Sequence, residues 1–324
     1  MPRRRDLLAT TALAAAGLAL SPWAAFAQRE PGAPPREKPA GAIKGRSAAP
    51  ATLLTRAIPS TGEAIPVIGA GTSGSYEVAI GSPGYDALAE VTRTFFEGGG
   101  SVIDTSPNYG NAEDVVGALL AEGGWRRQCF LATKLAADSR DALEAQWADS
   151  KRRLRTDAVE LLFVHNLRNW EQAWPYAQEL KASGAAKYIG MTHYVEKGHA
   201  ELEQRMREVR PDFIQVNYSV NAPQAARTLL PAAAELGVAV MVNRAFDDGR
   251  LFAKVGNRPL PGWAAEAGIG SWAQLFLKFA ISHPAVTVVI PATSKPERQV
   301  DQLKAGSGPL LSKAQQDELL AMFA

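Results

Sequence analysis

The chain has 324 residues, 46% of them apolar. That is enough for two ordinary domains or for one (β/α)8 barrel, a fold that routinely runs past about 250 residues. Its formal charge of +2, from 35 Lys and Arg against 33 Asp and Glu, leaves no electrostatic footprint for nucleic acid, and its single Cys, Cys129, rules out an internal disulfide.

The first 27 residues, "MPRRRDLLATTALAAAGLALSPWAAFA", have a basic start, an apolar stretch too short to span a bilayer and an Ala25-Phe26-Ala27 cleavage pattern. They read as a signal peptide, with no stable membrane anchor once it is removed. Arg4 and Arg5 before "DLL" resemble a twin-arginine export signal, and a general secretory signal is the alternative. Either predicts a bacterial periplasmic protein. The twin-arginine route carries folded proteins and suits an enzyme that binds a cofactor before export. Residues 28–50 are rich in Pro, Gly and charge and read as a flexible tether. Residues 51–324 are expected to form one domain.

In chain order, a short hairpin is predicted around residues 60–63, followed by a first core strand near 67–72. Seven further strands follow in "SVIDTS", "CFLATKL", "VELLFVHN", "AKYIGMTH", "DFIQVNYSV", "VAVMVNRAF" and "VTVVIPATS". Helical patterns separate them, among them "DALAEVTRTFFEGG", "AEDVVGALLAEG", "EQAWPYAQELKASG" and "QAARTLLPAAAELG", several ending in the Gly that follows a helix C-terminus. The strands are nearly continuous apolar runs, as expected when both faces are buried. Eight β/α units predict an α/β chain folded as a (β/α)8 TIM barrel. An open doubly wound sheet is the alternative, but "GAGTSG" lacks the Gly-x-Gly-x-x-Gly spacing of a dinucleotide turn. The basic run "KRRLR" at 151–155 continues a helix and reads as a solvated face, and Cys129 reads as an inert core thiol.

In a barrel the chemistry sits where strands end. Strand ends here carry Asp104, with Tyr109 in the following loop, then Lys134, His165, Thr192 with His193, Gln215 with Asn217, and Asn243 with Arg244. A buried lone Lys or Asp is costly unless paired. A phenol is a poor acid near neutrality, and Lys134 is expected to lower the pKa of Tyr109, with Asp104 keeping Lys134 charged. His165 is placed to orient a substrate oxygen. Such a group protonates an oxygen while a cofactor supplies hydride to carbon, because no side chain donates hydride.

The segments "VIDTSPNYGNAEDVVGALL", "LATK" and "LLFVHN" resemble the aldo-keto reductase family, from about residue 53 to the C-terminus. The resemblance implies Tyr109 as general acid for carbonyl reduction, Lys134 and Asp104 tuning it, and His165 orienting the carbonyl. It further implies a nicotinamide cofactor, NADP(H) in preference to NAD(H). Gly71, Thr72, Thr192, His193 and Gln215 fall where the family lines the nicotinamide and pyrophosphate. Asn243 stands where an aromatic usually stacks on nicotinamide, with Arg244 or Phe246 as substitutes. Thr293, Ser294 and Arg298 in "IPATSKPERQVDQL" match the adenosine-phosphate segment, although Ala292 replaces a common Lys or Arg and Asp301-Gln302 a Glu-Asn.

The implied function is reversible reduction of a small-molecule aldehyde or ketone. A nucleotide-binding or sensing module without useful turnover is the second reading. A barrel hydrolase with Asp104 and His165 on a metal is a weaker third, and no metal site is expected. Residues 247–270 are the main candidate for setting substrate specificity. His199 and His283 read as structural, and Trp170 serves either as a pocket wall or as rim packing.

Overall fold

The computed structural model describes residues 52–324, so the expected signal segment and tether lie outside the described residues. A hairpin comes first, with β1 (Thr55–Ala57) antiparallel to β2 (Ala64–Pro66). Gly62, at φ 77, supplies the left-handed residue its turn requires. Eight parallel strands follow and pair in chain order: β3 (Ala70–Gly71), β4 (Val102–Asp104), β5 (Phe130–Leu135), β6 (Val159–Val164), β7 (Ala186–His193), β8 (Phe213–Asn217), β9 (Ala239–Asn243) and β10 (Val286–Val289). Bridges from Ile68 to Val289 and from Gly71 to Ala292 bring the last strand back beside the first. The expected (β/α)8 TIM barrel is therefore the fold.

Around the barrel lie α1 (Pro83–Glu97), α2 (Ala112–Glu122), α3 (Arg140–Leu154), α4 (Trp170–Ala182), α5 (His199–Val209), α6 (Leu229–Leu236), α7 (Arg250–Val255), α8 (Trp272–Ser282), α9 (Pro296–Lys304) and α10 (Lys313–Phe323). Ser82, Ser139 and Ser271 cap α1, α3 and α8 by accepting a backbone N–H inside the first turn. One helical stretch departs from expectation. Residues 224–237 split into a 3-10 turn at Gln224–Ala226 and the shorter α6. Pro231 explains the break: it lacks an N–H and clashes with a preceding turn, so the α-helix begins just upstream and holds Pro231 in its first turn.

Strand parity builds the interior. Val102, Phe130, Ala132, Leu161, Phe163, Tyr188, Phe213, Ala239, Met241, Val288 and Ile290 pack together inside the barrel, with Ile58 and Ile65 of the hairpin closing its N-terminal end. Arg56 fixes that plug by donating to the carbonyls of Ile281 at 2.6 Å and His283 at 2.9 Å, and to that of Val286. These carbonyls lie at and beyond the C-terminus of α8, where a cation is favoured. Gly190 makes room for the interior packing: a Cβ there would come within 2.7 Å of the Phe163 ring and 2.5 Å of the Phe213 carbonyl.

Continuing each inward row by two residues takes Val102 to Asp104, Ala132 to Lys134, Phe163 to His165, Phe213 to Gln215 and Met241 to Asn243. The polar layer is thus the top of the apolar core. Elsewhere, the basic run on α3 is neutralised locally, Arg152 by Asp149 and Arg153 by Asp114. Cys129 is buried, and burial pushes its thiol well up. No helix of the described residues is long and apolar enough to cross a membrane.

Candidate active site

Asp104 ends β4 and Lys134 lies near the end of β5, and the two meet in a fully buried ion pair. Lys134 Nζ donates to Asp104 Oδ2 at 2.7 Å and to the Thr105 carbonyl at 2.7 Å. Gln215 Nε2 donates to the other carboxylate oxygen at 2.8 Å. Burial alone would lower the pKa of Lys134, but the Asp104 carboxylate and the Tyr109 oxygen outweigh it and hold the ammonium above its ordinary value. Both Asp104 oxygens are engaged, so Asp104 is not free to share an ion with His165, as the hydrolase reading requires.

The stretch "SPNYG" forms a turn in which the Tyr109 N–H returns to the Ser106 carbonyl at 3.1 Å. Pro107 sits at its second position, where a fixed φ favours the turn, and Gly110 follows at φ 49. The Tyr109 carbonyl then accepts from Ala112 N, the first residue of α2. This local geometry lays the half-buried phenol ring over the ammonium, with Lys134 Nζ 5.2 Å from its centroid. The His165 ring stands edge-on to the Tyr109 ring at 6.1 Å and 86°.

The expected direction of the Tyr109 shift is corrected. Burial dominates and pushes the phenol above its ordinary pKa, while Lys134 pulls it down without prevailing. Desolvation disfavours a phenolate more than one ammonium at this range favours it. For His165, burial, then Lys134, then Arg168, push the imidazole down to about 3, so it is neutral at neutral pH.

The residues expected around a cofactor are placed unevenly. Gly71 donates its N–H to the Pro291 carbonyl at 2.9 Å, and a Cβ on it would lie 2.8 Å from the Ile290 carbonyl. Thr72 is fully buried and gives both its N–H and its hydroxyl to the Asp104 carbonyl, at 3.1 and 3.0 Å. Gly71 is thus engaged in closing the barrel, and Thr72 in binding the end of β4. Thr192 Oγ1 accepts the Asn166 N–H at 3.0 Å. His193 turns its Nδ1 toward the Val195 carbonyl and stacks on Tyr194.

Asn243 donates to Gln215 Oε1 at 3.3 Å, and its own Oδ1 is buried with no partner among the described residues. Arg244 binds the Tyr194 carbonyl at 3.1 Å, pairs with Asp248 and lies over the Tyr194 ring. Phe246 packs on Phe252, 5.1 Å between ring centroids. At the adenosine end, Thr293 Oγ1 accepts the Lys295 N–H at 3.1 Å, while Ser294 and Arg298 are exposed. Arg298 sits in the first turn of α9 and makes no ion pair among the described residues. Asp301 faces α8 instead, accepting from Ser271 Oγ and Gln274 Nε2, each at 2.6 Å.

Three contributors went unread in the sequence. Thr105 lends a backbone carbonyl, which no side-chain pattern reveals. Ser106 contacts His165 Nδ1 at 3.4 Å, and its signal was available, since two residues beyond Asp104 on a strand means the same face. Asn166, at φ 56, turns the chain immediately after His165. The residues set aside as structural are so placed: His199 Nε2 lies 2.9 Å from Asn217 Oδ1, engaging Asn217 as well, and His283 caps α8. Trp170 stacks on Trp174 at 5.0 Å with Arg205 over it, which is packing between α4 and α5.

A closed parallel barrel whose strand ends gather a buried carboxylate–ammonium pair, a phenol and a neutral imidazole places the chain among the (β/α)8 proteins with proton-handling groups at the C-terminal end of the barrel. The model of the Aldo/keto reductase family matches residues 67–321, and the chain belongs to that family. It is 30% identical over 156 residues to the uncharacterized oxidoreductase YrpG of Bacillus subtilis, a match covering 41% of this chain and 48% of that protein. It is 28% identical over 182 residues to the aldo-keto reductase YhdN of the same organism, covering 51% and 54%. The chain therefore spans about half the length of these curated relatives. A crystal structure of an aldo/keto reductase from Klebsiella pneumoniae in complex with NADP and acetate superposes with a TM-score of 0.69 at 25% identity. That match covers 81% of this chain and 93% of the other.

Proposed function

We propose that this protein is an NADP(H)-dependent oxidoreductase that reduces an aldehyde or ketone to the alcohol, reversibly. The observation that carries the reading is the buried Asp104–Lys134 pair with Tyr109 laid over its ammonium. Nothing in barrel packing calls for a charge pair there, since hydrophobic residues of similar volume would be at least as stable. Tyr109 donates its proton to the carbonyl oxygen, the Lys134 ammonium stabilises the phenolate left behind, and Asp104 keeps Lys134 charged. His165, being neutral, orients the carbonyl without competing as an acid. Water then returns a proton to Tyr109, and alcohol oxidation runs the same steps backwards.

A reduced nicotinamide cofactor, when bound, supplies the hydride. The residues present fit such a group. Asn243 Oδ1, buried beside Gln215 with no partner among the described residues, would hold its nicotinamide end together with Thr192. Thr293, Ser294 and the exposed guanidinium of Arg298 at the start of α9 would hold a 2′-phosphate, which favours NADP(H) over NAD(H). The NADP in the Klebsiella relative supports the same preference. We further propose export to the periplasm through the twin-arginine-like segment at residues 1–27.

The test is nicotinamide absorbance of the purified protein with NADPH and a panel of aldehydes and ketones, alongside Tyr109→Phe. Oxidation of NADPH that falls by at least about 100-fold in Tyr109→Phe is expected for a general acid. Bound nucleotide with no turnover in the wild type would replace this reading with a nucleotide-binding module.

A further inference from the structure

We infer that Ser106 is a positioning residue that fixes the tautomer of His165, holding Nδ1 as an acceptor so that the imidazole offers Nε2–H to the substrate oxygen. Ser106 is fully buried, and its Oγ lies 3.4 Å from His165 Nδ1. The direction of that bond follows from the other contact of the same oxygen. Asn108 N–H donates to Ser106 Oγ at 3.3 Å, and among the described residues His165 Nδ1 is the one acceptor that buried hydroxyl reaches, so its proton points at the ring. A ring nitrogen that accepts a hydrogen bond carries no proton, so in a neutral imidazole the proton resides on Nε2. A general acid and an orienting donor must reach the same carbonyl oxygen. An imidazole protonated at Nδ1 would instead present a lone pair to that oxygen and repel it.

The backbone around His165 is built to hold the ring for this contact. Asn166 and Leu167 both lie at φ 56, a conformation costly for a branched side chain and held only when the surroundings over-determine it. Thr192 Oγ1 accepts the Asn166 N–H at 3.0 Å and clamps the turn to β7. Thr192 and Asn166 therefore set where the ring sits, and Ser106 sets which nitrogen bears the proton. Ser106 itself is anchored by the turn that presents Tyr109, whose N–H binds the Ser106 carbonyl. Acid and orienting group thus share one short segment.

This inference rests on the reductase reading for its catalytic meaning, but not for its test. The full described chain, labelled with 15N at histidine, is examined by NMR at neutral pH, with His165 assigned by the loss of its signals in His165→Gln. In the wild type, Nδ1 is expected in the pyridine-like range and Nε2 in the pyrrole-like range. The reverse pattern overturns the inference whatever the enzyme does. Ser106→Ala should move both His165 shifts toward an averaged tautomer mixture, and Ser106→Thr, which keeps the hydroxyl, should restore them. Unchanged shifts in a folded Ser106→Ala would also overturn it. If carbonyl reduction is observed, Ser106→Ala lowers kcat about tenfold with KM little changed, the scale of one lost neutral hydrogen bond.

Discussion

Lys134 Nζ lies 2.7 Å from Asp104 Oδ2, and the two side chains are 0% and 3% exposed. Removing one partner leaves the other charge with nowhere to go. In Asp104→Asn, Lys134 keeps the Thr105 carbonyl and a neutral amide oxygen but no counter-charge, and Gln215 loses its anionic acceptor. A loss of about 3 kcal/mol in unfolding free energy is expected, together with loss of carbonyl reduction. Urea titration measures it, and a loss under about 1 kcal/mol would mean that the pair is neither tightly coupled nor desolvated.

The His165 imidazole is pushed down to about 3 from 6.5, which has consequences for activity and for stability. Its folded pKa is depressed, so the unfolded chain binds the proton first as pH falls. The contribution to stability is fully present above about 6.5 and is lost progressively toward about 3. Thermal melting of His165→Gln should therefore show a shallower acid decline than the wild type across that window. Initial rates of carbonyl reduction should show no limb near about pH 6.5, because the orienting group stays neutral there. A rate that halves near that pH would sink the assignment.

The site and the barrel were legible in the sequence for one shared reason: strand parity. Asp104, Lys134, His165 and Gln215 continue rows of inward apolar residues, so the same period of two that marks the core also aims the polar layer. What stayed hidden depends on neighbours distant in the chain. The direction of the Tyr109 shift turns on how much desolvation outweighs Lys134, which only packing decides. Gly71 and Thr72 were read by their strand-end position, whereas closure onto Pro291 engages the Gly71 N–H and the Asp104 carbonyl engages both polar groups of Thr72. The break before α6 was signalled by Pro231 but masked by the strong alanine pattern around it.

Gly190 lies directly against Phe163 and Phe213 inside the barrel. Gly190→Ala would force a methyl to within 2.5 Å of the Phe213 carbonyl, and strand pairing on both sides prevents the backbone from yielding freely. A destabilisation of about 1–3 kcal/mol is expected. Because the site sits one layer above Gly190, on β6 and β7, kcat should fall as well. Differential scanning calorimetry on the variant checks the first point, and an unchanged melting temperature would show that the barrel interior is looser than its contacts indicate.

Arg298 offers an exposed guanidinium in the first turn of α9, with no ion pair among the described residues. If it grips a 2′-phosphate, Arg298→Ala should weaken NADPH binding about tenfold or more. NADH lacks that group, so its affinity should change little. Fluorescence titration with both nucleotides separates the two. Equal weakening would place Arg298 on a part of the cofactor common to both, such as adenine or pyrophosphate.

Residues 1–27 carry the proposal for export, and Arg4 with Arg5 carries the choice of route. A twin-arginine pathway tolerates paired Lys poorly, whereas a general secretory signal needs only positive charge before its apolar stretch. The double change Arg4→Lys with Arg5→Lys keeps that charge. Fractionation of cells producing it should show precursor retained in the cytoplasm and the periplasmic form lost. Undiminished periplasmic protein would assign export to the general route, which delivers unfolded chains, so any cofactor would then have to be captured after crossing rather than carried across already bound.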